Sequence, residues 1–214
     1  MSAPRFAALV LAAGQGTRMK SRLPKVLHEV SGRPMVCWPV QAAFDAGASE
    51  VVVVVGHGAE AVEEALRADF GDRVKTALQA EQRGTGHAAR CGMPALEGFD
   101  GDVVILYGDV PLLEAEAVSA LVEARAEARA DGKGPLSLLT CRAPDPTGYG
   151  RILREGDAVV GIREHKDASE AERAIDEINP GVYAAEAGFL RDALAELSDD
   201  NAQGELYLTD IVAA

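Results

Sequence analysis

This sequence of 214 residues has few cysteines, no long apolar run and no excess of positive charge. The three cysteines, Cys37, Cys91 and Cys141, are far apart, odd in number and form no C-x-x-C pair. We therefore predict a reduced, cytoplasmic protein whose thiols pack in the core. The longest apolar run, residues 7–13, is much shorter than the roughly 20 residues that span a bilayer, and no charged-then-apolar leader precedes it. We expect no membrane partner.

The charge of the chain is strongly negative but unevenly distributed. A formal net charge of −13 argues against a nucleic-acid partner. Residues 1–40 carry six basic residues against one acidic residue, which is +5, so the remaining residues carry −18. The basic residues are Arg5, Arg18, Lys20, Arg22, Lys25 and Arg33. A positive region in an otherwise acidic protein favours a small polyanionic ligand.

Short apolar runs and helical patterns alternate along the first half of the chain. We predict strands over residues 6–11, 51–55, 74–78 and 103–106, and helices over residues 34–46, 59–68 and 114–130. This βαβαβ order predicts an α/β fold with a Rossmann-like, open and mostly parallel sheet.

The pattern changes in the second half of the chain, where we predict a small β-rich part. Its predicted elements are strands over residues 136–141, 150–154, 158–164 and 177–185, a turn at 155–157 and a helix over 188–197. We expect a single domain over residues 1–214, divided into two halves at about residue 112.

A glycine-containing loop follows the first predicted strand, in the sequence Leu11-Ala12-Ala13-Gly14-Gln15-Gly16-Thr17-Arg18-Met19. Glycines let backbone N–H groups approach an anion closely, and Arg18 and Lys25 add positive charge beside them. The loop is not a dinucleotide fingerprint, because Met19 stands in place of the third glycine, and no P-loop sequence occurs. A surface turn would explain the glycines but not two spaced cations after a buried strand. We therefore predict a phosphate site.

Two glutamines follow the third predicted strand, at the sheet edge where α/β proteins bind ligands. Gln79 and Gln82 carry amides that both donate and accept, as does the imide edge of uracil or thymine. Gly84 and Thr85 follow at a helix start and would let the base edge meet the backbone. Solvated loop glutamines are the alternative interpretation, and the position after a strand argues against it.

Asp109 is the candidate metal ligand, because it follows an apolar strand beside Gly108. Magnesium favours one or two carboxylates together with substrate phosphates. The alternative is an aspartate that caps the turn before Pro111. The four histidines are scattered, and we interpret them as structural residues or as residues that support ligand-binding side chains, and not as metal ligands.

Eight motifs occur in order along the chain: L-A-A-G-Q-G-T-R-M, L-P-K-V-L-H, Q-A-E-Q-x-G-T-G-H-A, L-Y-G-D-V-P-L, D-P-T-G-Y-G-R-I, E-H-K-D-A, E-I-N-x-G and N-A-Q-G-E-x-Y-x-T-D-I. Together they resemble the motifs of N-acetylglucosamine-1-phosphate uridyltransferases over essentially the whole chain. In bacteria this family forms the N-terminal half of a bifunctional enzyme whose C-terminal half is a left-handed β-helix acetyltransferase. The resemblance implies a nucleotidyltransferase of the nucleotide-diphospho-sugar transferase fold type, with a nucleotide-binding half over about residues 1–112 and a sugar-binding half over about residues 113–214.

The resemblance also implies ligands and residue roles. Mg²⁺ would be the cofactor, UTP and N-acetylglucosamine 1-phosphate the substrates, and UDP-N-acetylglucosamine the product, which feeds peptidoglycan and lipopolysaccharide precursor synthesis. Arg18 and Lys25 would be catalytic, and Asp109 would bind the metal. The nucleotide-binding residues would be Leu11, Ala12, Ala13, Gly14, Gln79, Gln82, Gly84 and Thr85. The sugar-binding residues would be Tyr107, Gly150, Glu164, Asn179, Tyr207 and Thr209. Pro180 departs from the family's pattern by removing a backbone donor beside Asn179, but it leaves the asparagine side chain available.

The chemistry that this family carries out needs no general base. A phosphate monoester has a second pKa of about 6, so the attacking oxygen is already ionised at neutral pH. Positioning and charge neutralisation would then supply the catalysis. Two alternatives remain open at this point: another sugar-1-phosphate nucleotidyltransferase, such as one for glucose 1-phosphate, and a non-catalytic nucleotide-sugar sensor.

The last residues carry a separate expectation. Thr209 and Asp210 are typical of a helix start, and so few residues follow that we expect the chain to be cut here. It would then lack the acetyltransferase domain and be a monomer, whereas the full-length family form is trimeric. In the family, an asparagine further along the chain is the second metal ligand, and no residue here can be assigned that role. We therefore expect weaker metal binding and slower transfer.

Overall fold

A six-stranded sheet forms the centre of the computed structural model, which describes residues 5–16 and 19–214. The strands are β1 Phe6–Leu11, β2 Glu29–Val30, β3 Arg33–Pro34, β4 Glu50–Val55, β5 Val74–Leu78, β6 Asp102–Tyr107, β7 Leu136–Leu138, β8 Cys141–Arg142, β9 Gly150–Glu155, β10 Ala158–Arg163, β11 Glu177–Asn179 and β12 Tyr183–Glu186. The α-helices are α1 Cys37–Asp45, α2 Ala59–Phe70, α3 Thr85–Gly92, α4 Ala115–Ala130, α5 Glu170–Arg173 and α6 Ala187–Glu196. Short 3₁₀ helices cover Lys25–Leu27, Gly71–Arg73, Met93–Leu96 and Leu208–Ala213.

The large sheet has the strand order β5-β4-β1-β6-β12-β7. Its first four strands are parallel, whereas β12 and β7 each pair antiparallel with their neighbours. A second sheet, with the order β10-β9-β11-β8, is antiparallel throughout. The predicted fold class, a mostly parallel α/β sheet with a small β-rich part, is therefore confirmed.

β1 is buried on both faces, as its unbroken apolar sequence predicts. Successive side chains point to opposite faces of a strand, so Phe6 and Val10 enter one core cluster and Ala7 and Leu9 enter the other. The first cluster is completed by α1, α2 and α4, and the second by α3 and α6. The rigid, doubly covered centre fixes the position of the loops at the ends of β1 and β6.

The prediction of one strand over residues 177–185 is wrong, because two short strands form there in different sheets. β11 pairs with β8 and β9 in the small sheet, whereas β12 pairs with β6 and β7 in the large one. Pro180 has no N–H to donate and Gly181 has a φ of +89°, so β11 ends at Asn179 and the next strand begins only at Tyr183. The predicted strand over residues 136–141 divides between the two sheets in the same way, into β7 and β8.

The first predicted helix begins later than expected. We placed its start at Pro34, but Pro34 pairs with Glu29 in the small β2–β3 hairpin, and α1 begins at Cys37. The predicted hairpin in the second half is confirmed, since β9 and β10 pair antiparallel with Ala158 opposite Glu155.

The positive region predicted for residues 1–40 is smaller than the charge count suggests. Arg5 precedes β1, at the strand end opposite the candidate site, and pairs with Asp100 at 3.5 Å. Arg33 donates to Asp69 at 2.6 Å and lies over the Phe70 ring. Local partners therefore neutralise two of the six cations away from the site.

The prediction for the three thiols is correct for Cys37 and wrong for Cys141. Cys37 is fully buried, and burial raises its pKa to about 12. Cys141 is exposed, and it lies on β8, a two-residue strand whose residues are both exposed. Among the helices formed by the described residues, none has the length and apolar character needed to cross a membrane.

Candidate active site

A cavity of about 330 Å³ lies at the carboxyl ends of β1 and β6. Such a position is where parallel sheets bind ligands. All eight residues predicted to hold the nucleotide line this cavity, together with Tyr107 and Asp109, and their roles stay a prediction. The eight are Leu11, Ala12, Ala13, Gly14, Gln79, Gln82, Gly84 and Thr85, and the lining is completed by three residues that we did not predict, Val26, Ala88 and Glu205.

The end of β1 is tied to its neighbours by hydrogen bonds. The Ala12 N–H donates to a β4 carbonyl at 2.9 Å, and the Gly108 N–H donates to the Leu11 carbonyl at 2.9 Å. Ala12 and Ala13 are buried, and the Gln82 side-chain amide donates to the Ala13 carbonyl at 2.7 Å. The backbone that faces the cavity is therefore held in place before any ligand binds.

Lys25 and Asp109 form an ion pair at the edge of the cavity, between the Lys25 Nζ and an Asp109 carboxylate oxygen. About a third of each side chain is exposed, so both remain accessible to a ligand. Gly16, in the loop after β1, has a φ of +61°, and a Cβ there would lie 2.5 Å from the Lys25 Cβ. The loop can pack against Lys25 in this way only with glycine at that position. Arg18 lies outside the described residues, so its phosphate contact stays a prediction.

Gln79 is the most deeply buried of the predicted base-binding residues, at 4% exposed. Its backbone N–H donates to the Val55 carbonyl at 2.8 Å. Its side-chain Nε2 lies 3.1 Å from the Gly84 carbonyl oxygen and 3.1 Å from the His87 Nδ1. The amide is therefore held at the start of α3, beside the cavity.

The predicted sugar-binding residues form a second cluster next to this cavity. A Cβ on Gly150 would lie 3.6 Å from the Glu164 Oε1 and 3.7 Å from the Asn179 Cβ, so these three residues are neighbours. The Thr209 hydroxyl donates to the Glu164 Oε1 at 3.1 Å. Burial raises the pKa of Glu164, with nearby carboxylates such as Asp167 adding to the shift and the Thr209 hydrogen bond opposing it.

Hydrogen bonds orient the other members of this cluster. The Asn179 amide donates to the Tyr183 hydroxyl at 2.5 Å and accepts from the Gly181 N–H at 3.0 Å. The Tyr207 hydroxyl donates to Asp167 at 3.2 Å and accepts from a glutamine amide at 2.8 Å. These side chains are thus positioned by Tyr183 of β12 in the large sheet and by loop residues on either side of it.

Tyr107 connects the two clusters. It ends β6 and lines the cavity, and its ring packs against Gly181, where a Cβ would lie 2.4 Å from the Tyr107 Cε2. Burial raises the pKa of Tyr107, a hydrogen bond with Thr85 opposes that shift, and the charges of Glu164 and Asp109 reinforce it. The phenol is therefore neutral at physiological pH.

Several positioning residues were missed by sequence reasoning. Most of them lie inside the eight motifs, so their motif membership was a signal that we did not use. They are His87 beside Gln79, Asp167 and Gln203 beside Tyr207, Gly181 beside Tyr107, and Tyr183 beside Asn179.

A metal ion at this site would have few protein ligands. Within residues 5–16 and 19–214, no group of three or more His, Cys, Asp or Glu side chains could hold a metal. The Asp109 carboxylate lines the cavity and supplies the hard oxygen that Mg²⁺ prefers. The donor set fits a Mg²⁺ ion whose other ligands come from substrate phosphates and water.

Residues 8–206 match the MobA-like NTP transferase domain family. The chain belongs to this family. It is 59% identical over 210 residues to bifunctional protein GlmU of Sorangium cellulosum, an alignment that covers 96% of the chain and 44% of that relative. It is 54% identical over 206 residues to bifunctional protein GlmU of Cutibacterium acnes, covering 96% of the chain and 48% of that relative. The predicted resemblance is confirmed, and the chain spans about half the length of these relatives.

The fold of this family member is also similar to solved nucleotidyltransferase structures. The structure of a UDP-glucose pyrophosphorylase complexed with UDP-glucose superposes with a TM-score of 0.79, at 17% identity, over 98% of this chain and 86% of that one. At this identity the similarity concerns the fold alone. Family membership identifies the chain as a nucleotidyltransferase domain, as predicted.

Proposed function

We propose that this domain transfers a uridylyl group from UTP to N-acetylglucosamine 1-phosphate. An oxygen of the sugar phosphate attacks the α-phosphorus of UTP in line, the bond to the bridging oxygen breaks, and pyrophosphate leaves with UDP-N-acetylglucosamine as the other product. The observation that supports this proposal is that the cavity lined by the predicted nucleotide-binding residues meets the cluster of predicted sugar-binding residues at Tyr107. The product would be a precursor for peptidoglycan and lipopolysaccharide.

The Lys25–Asp109 pair supports the phosphoryl chemistry. Its ammonium and carboxylate groups lie together at the cavity edge, where the triphosphate would pass. A phosphate group competes for the Lys25 ammonium because it carries more negative charge than a single carboxylate. Asp109 would then be free to hold Mg²⁺, which supplies charge neutralisation of the phosphates when it is bound. Lys25 itself donates to phosphate oxygens and stabilises the charge that develops on them.

Glu164 and Asn179 support an amino sugar as the acceptor. Glu164 is a half-buried acceptor held by Thr209, and Asn179 is held by Tyr183 and Gly181. Hydroxyl and acetamido groups donate and accept hydrogen bonds in the pattern that such a carboxylate and amide can satisfy. The sugar selectivity is thus assigned to side chains that are already oriented.

A panel of sugar 1-phosphates tests this proposal. Pyrophosphate release with UTP should be fastest, as kcat/KM, for N-acetylglucosamine 1-phosphate and slower for glucose 1-phosphate. Preference for glucose 1-phosphate would reassign the acceptor, and tight binding of UTP without pyrophosphate release with any sugar would identify a nucleotide-sugar sensor instead.

Two threonine variants locate the sugar site in the same assay. Thr209→Val removes the hydroxyl that donates to Glu164 at 3.1 Å, so the KM for the sugar phosphate should rise. Thr76→Val removes a similar hydroxyl, which donates to Glu63 at 3.0 Å on the surface, and should leave the KM unchanged. An equal change in both variants would contradict the assignment of Thr209 and Glu164.

A further inference from the structure

The orientation of the Gln79 amide can be derived from its partners. Its end atom lies 3.1 Å from the Gly84 carbonyl oxygen, which can only accept hydrogen bonds, so this atom is the nitrogen and not the oxygen. The same nitrogen lies 3.1 Å from the His87 Nδ1. An amide nitrogen has two hydrogens, and these two acceptors use both of them. The carbonyl oxygen of Gln79 is therefore the only part of this amide left for a ligand.

The hydrogen bond from Gln79 also determines the tautomer of His87. Because Nδ1 accepts, the neutral imidazole carries its proton on Nε2. The Nε2 atom faces the Cys91 Sγ at 3.7 Å, one turn further along α3, where sulfur acts as a weak acceptor. The ring thus lies between Gln79 and Cys91, and its stronger hydrogen bond is the one at Nδ1, to the Gln79 amide.

Gly84 offers the cavity a donor. It lines the same cavity, and its backbone N–H donates to no acceptor within the described part of the chain. Because the Gln79 amide is hydrogen-bonded to the Gly84 carbonyl, these two neighbouring residues present one acceptor and one donor to the cavity. Uracil carries a donor at N3 and an acceptor at O4, which complements this pair, whereas cytosine carries an acceptor at N3 and a donor at N4, which is the reverse.

We propose that His87 is a positioning residue that holds the Gln79 amide with its oxygen towards the nucleobase, and that the site thereby selects uracil over cytosine. This inference rests on the uridylyl transfer proposed above. Without His87, only the Gly84 carbonyl would hold the amide nitrogen, so the orientation that presents the Gln79 oxygen to the base would be less strongly favoured. The selectivity thus depends on a residue that need not touch the nucleotide.

The test is the ratio of kcat/KM for UTP to that for CTP, measured by pyrophosphate release with one sugar phosphate. His87→Phe keeps a ring but removes the acceptor, so the ratio should fall by about tenfold, the effect of one neutral hydrogen bond. His87→Asn places an amide oxygen near the former Nδ1 and should restore the ratio. Cys91→Ala removes the neighbour on the other side of the ring, leaves Nδ1 in place and should not change the ratio.

The outcomes separate a positioning role from a general effect on packing. An unchanged ratio in a folded His87→Phe variant would overturn the inference, as would an equal fall in Cys91→Ala. If thermal denaturation shows that the His87→Phe variant does not fold, His87→Leu makes the same test with a smaller side chain. If no sugar phosphate proves to be a substrate, the relative affinities for UDP and CDP, measured by calorimetry, test His87 independently of uridylyl transfer.

Discussion

Replacing Lys25 with methionine gives the sharpest test of the candidate active site. Methionine keeps most of the length of the lysine stem, against which Gly16 packs, but removes the ammonium group that reaches Asp109. Losing one charged contact to the reacting phosphates should cost roughly 2–4 kcal/mol of transition-state stabilisation, which is about 30- to 1,000-fold in kcat/KM. The assay is pyrophosphate release from UTP and N-acetylglucosamine 1-phosphate.

The stability of the same variant should change little. The pair is about one-third exposed on each side, and such ion pairs contribute about 0–1 kcal/mol to the free energy of unfolding. Thermal denaturation should therefore show a melting temperature close to that of the parent protein. A large loss of turnover combined with an intact fold would assign Lys25 to the chemistry.

Lys75→Met is the matched control for this experiment. Lys75 pairs with Glu50 at 2.7 Å on the exposed side of β5, so this variant also removes a lysine from an ion pair. Its kcat/KM should stay at the parent value. Near-normal turnover in Lys25→Met, or an equal loss in Lys75→Met, would refute the role of Lys25 in phosphoryl transfer.

Three further predictions concern the predicted sugar-binding residues and the residues that support them. Glu164→Gln should stabilise the fold at neutral pH, because burial raises the pKa of Glu164 and thus disfavours its charged form. In thermal denaturation, this gain in stability should be absent below the ordinary glutamate pKa of about 4.3 and should grow as the pH rises above it. Gly181→Ala should lower the free energy of unfolding by about 2–4 kcal/mol in denaturant titrations, since its Cβ would overlap the Tyr107 ring in a left-handed backbone region. Arg151→Met should cost about 1–3 kcal/mol and raise the KM for the sugar phosphate, because the fully buried guanidinium donates to the carbonyl of Tyr149, beside Gly150.

Each of these predictions has a control in the same chain. Glu177 pairs with Arg154, which lowers its pKa to about 2, so Glu177→Gln should destabilise at neutral pH and lose that effect as the pH falls from about 4.3 towards 2. Gly132→Ala tests the backbone strain alone, since φ is +67° there but a Cβ would meet no atom within 4 Å. Arg142→Met removes an exposed arginine and should change neither stability nor KM. The predictions would be contradicted if both glutamate variants changed the stability in the same direction. They would also be contradicted if the two glycine variants, or the two arginine variants, had effects of the same size.

The local sequence by itself determined the strands of the parallel sheet and the position of the cavity. β1 and β4 are continuous apolar runs, which only burial on both faces of a sheet can accommodate. Polar and glycine-rich loops follow the strands that converge on the cavity, and parallel strands bring those loops to one edge. For this reason all eight predicted nucleotide-binding residues line a single cavity.

Only the tertiary structure decided which sheet each later strand joins and which side chains hold the site residues in place. Alternation along residues 177–185 is the same for a strand in either sheet, so the break at Pro180 and Gly181 became visible only through its pairing partners. The charge count could not show that Arg5 and Arg33 are neutralised elsewhere, because their partners Asp100 and Asp69 are distant along the chain. Hydrogen bonds between residues far apart in sequence, such as Thr209 to Glu164, depend on three-dimensional contact, which local periodicity does not encode.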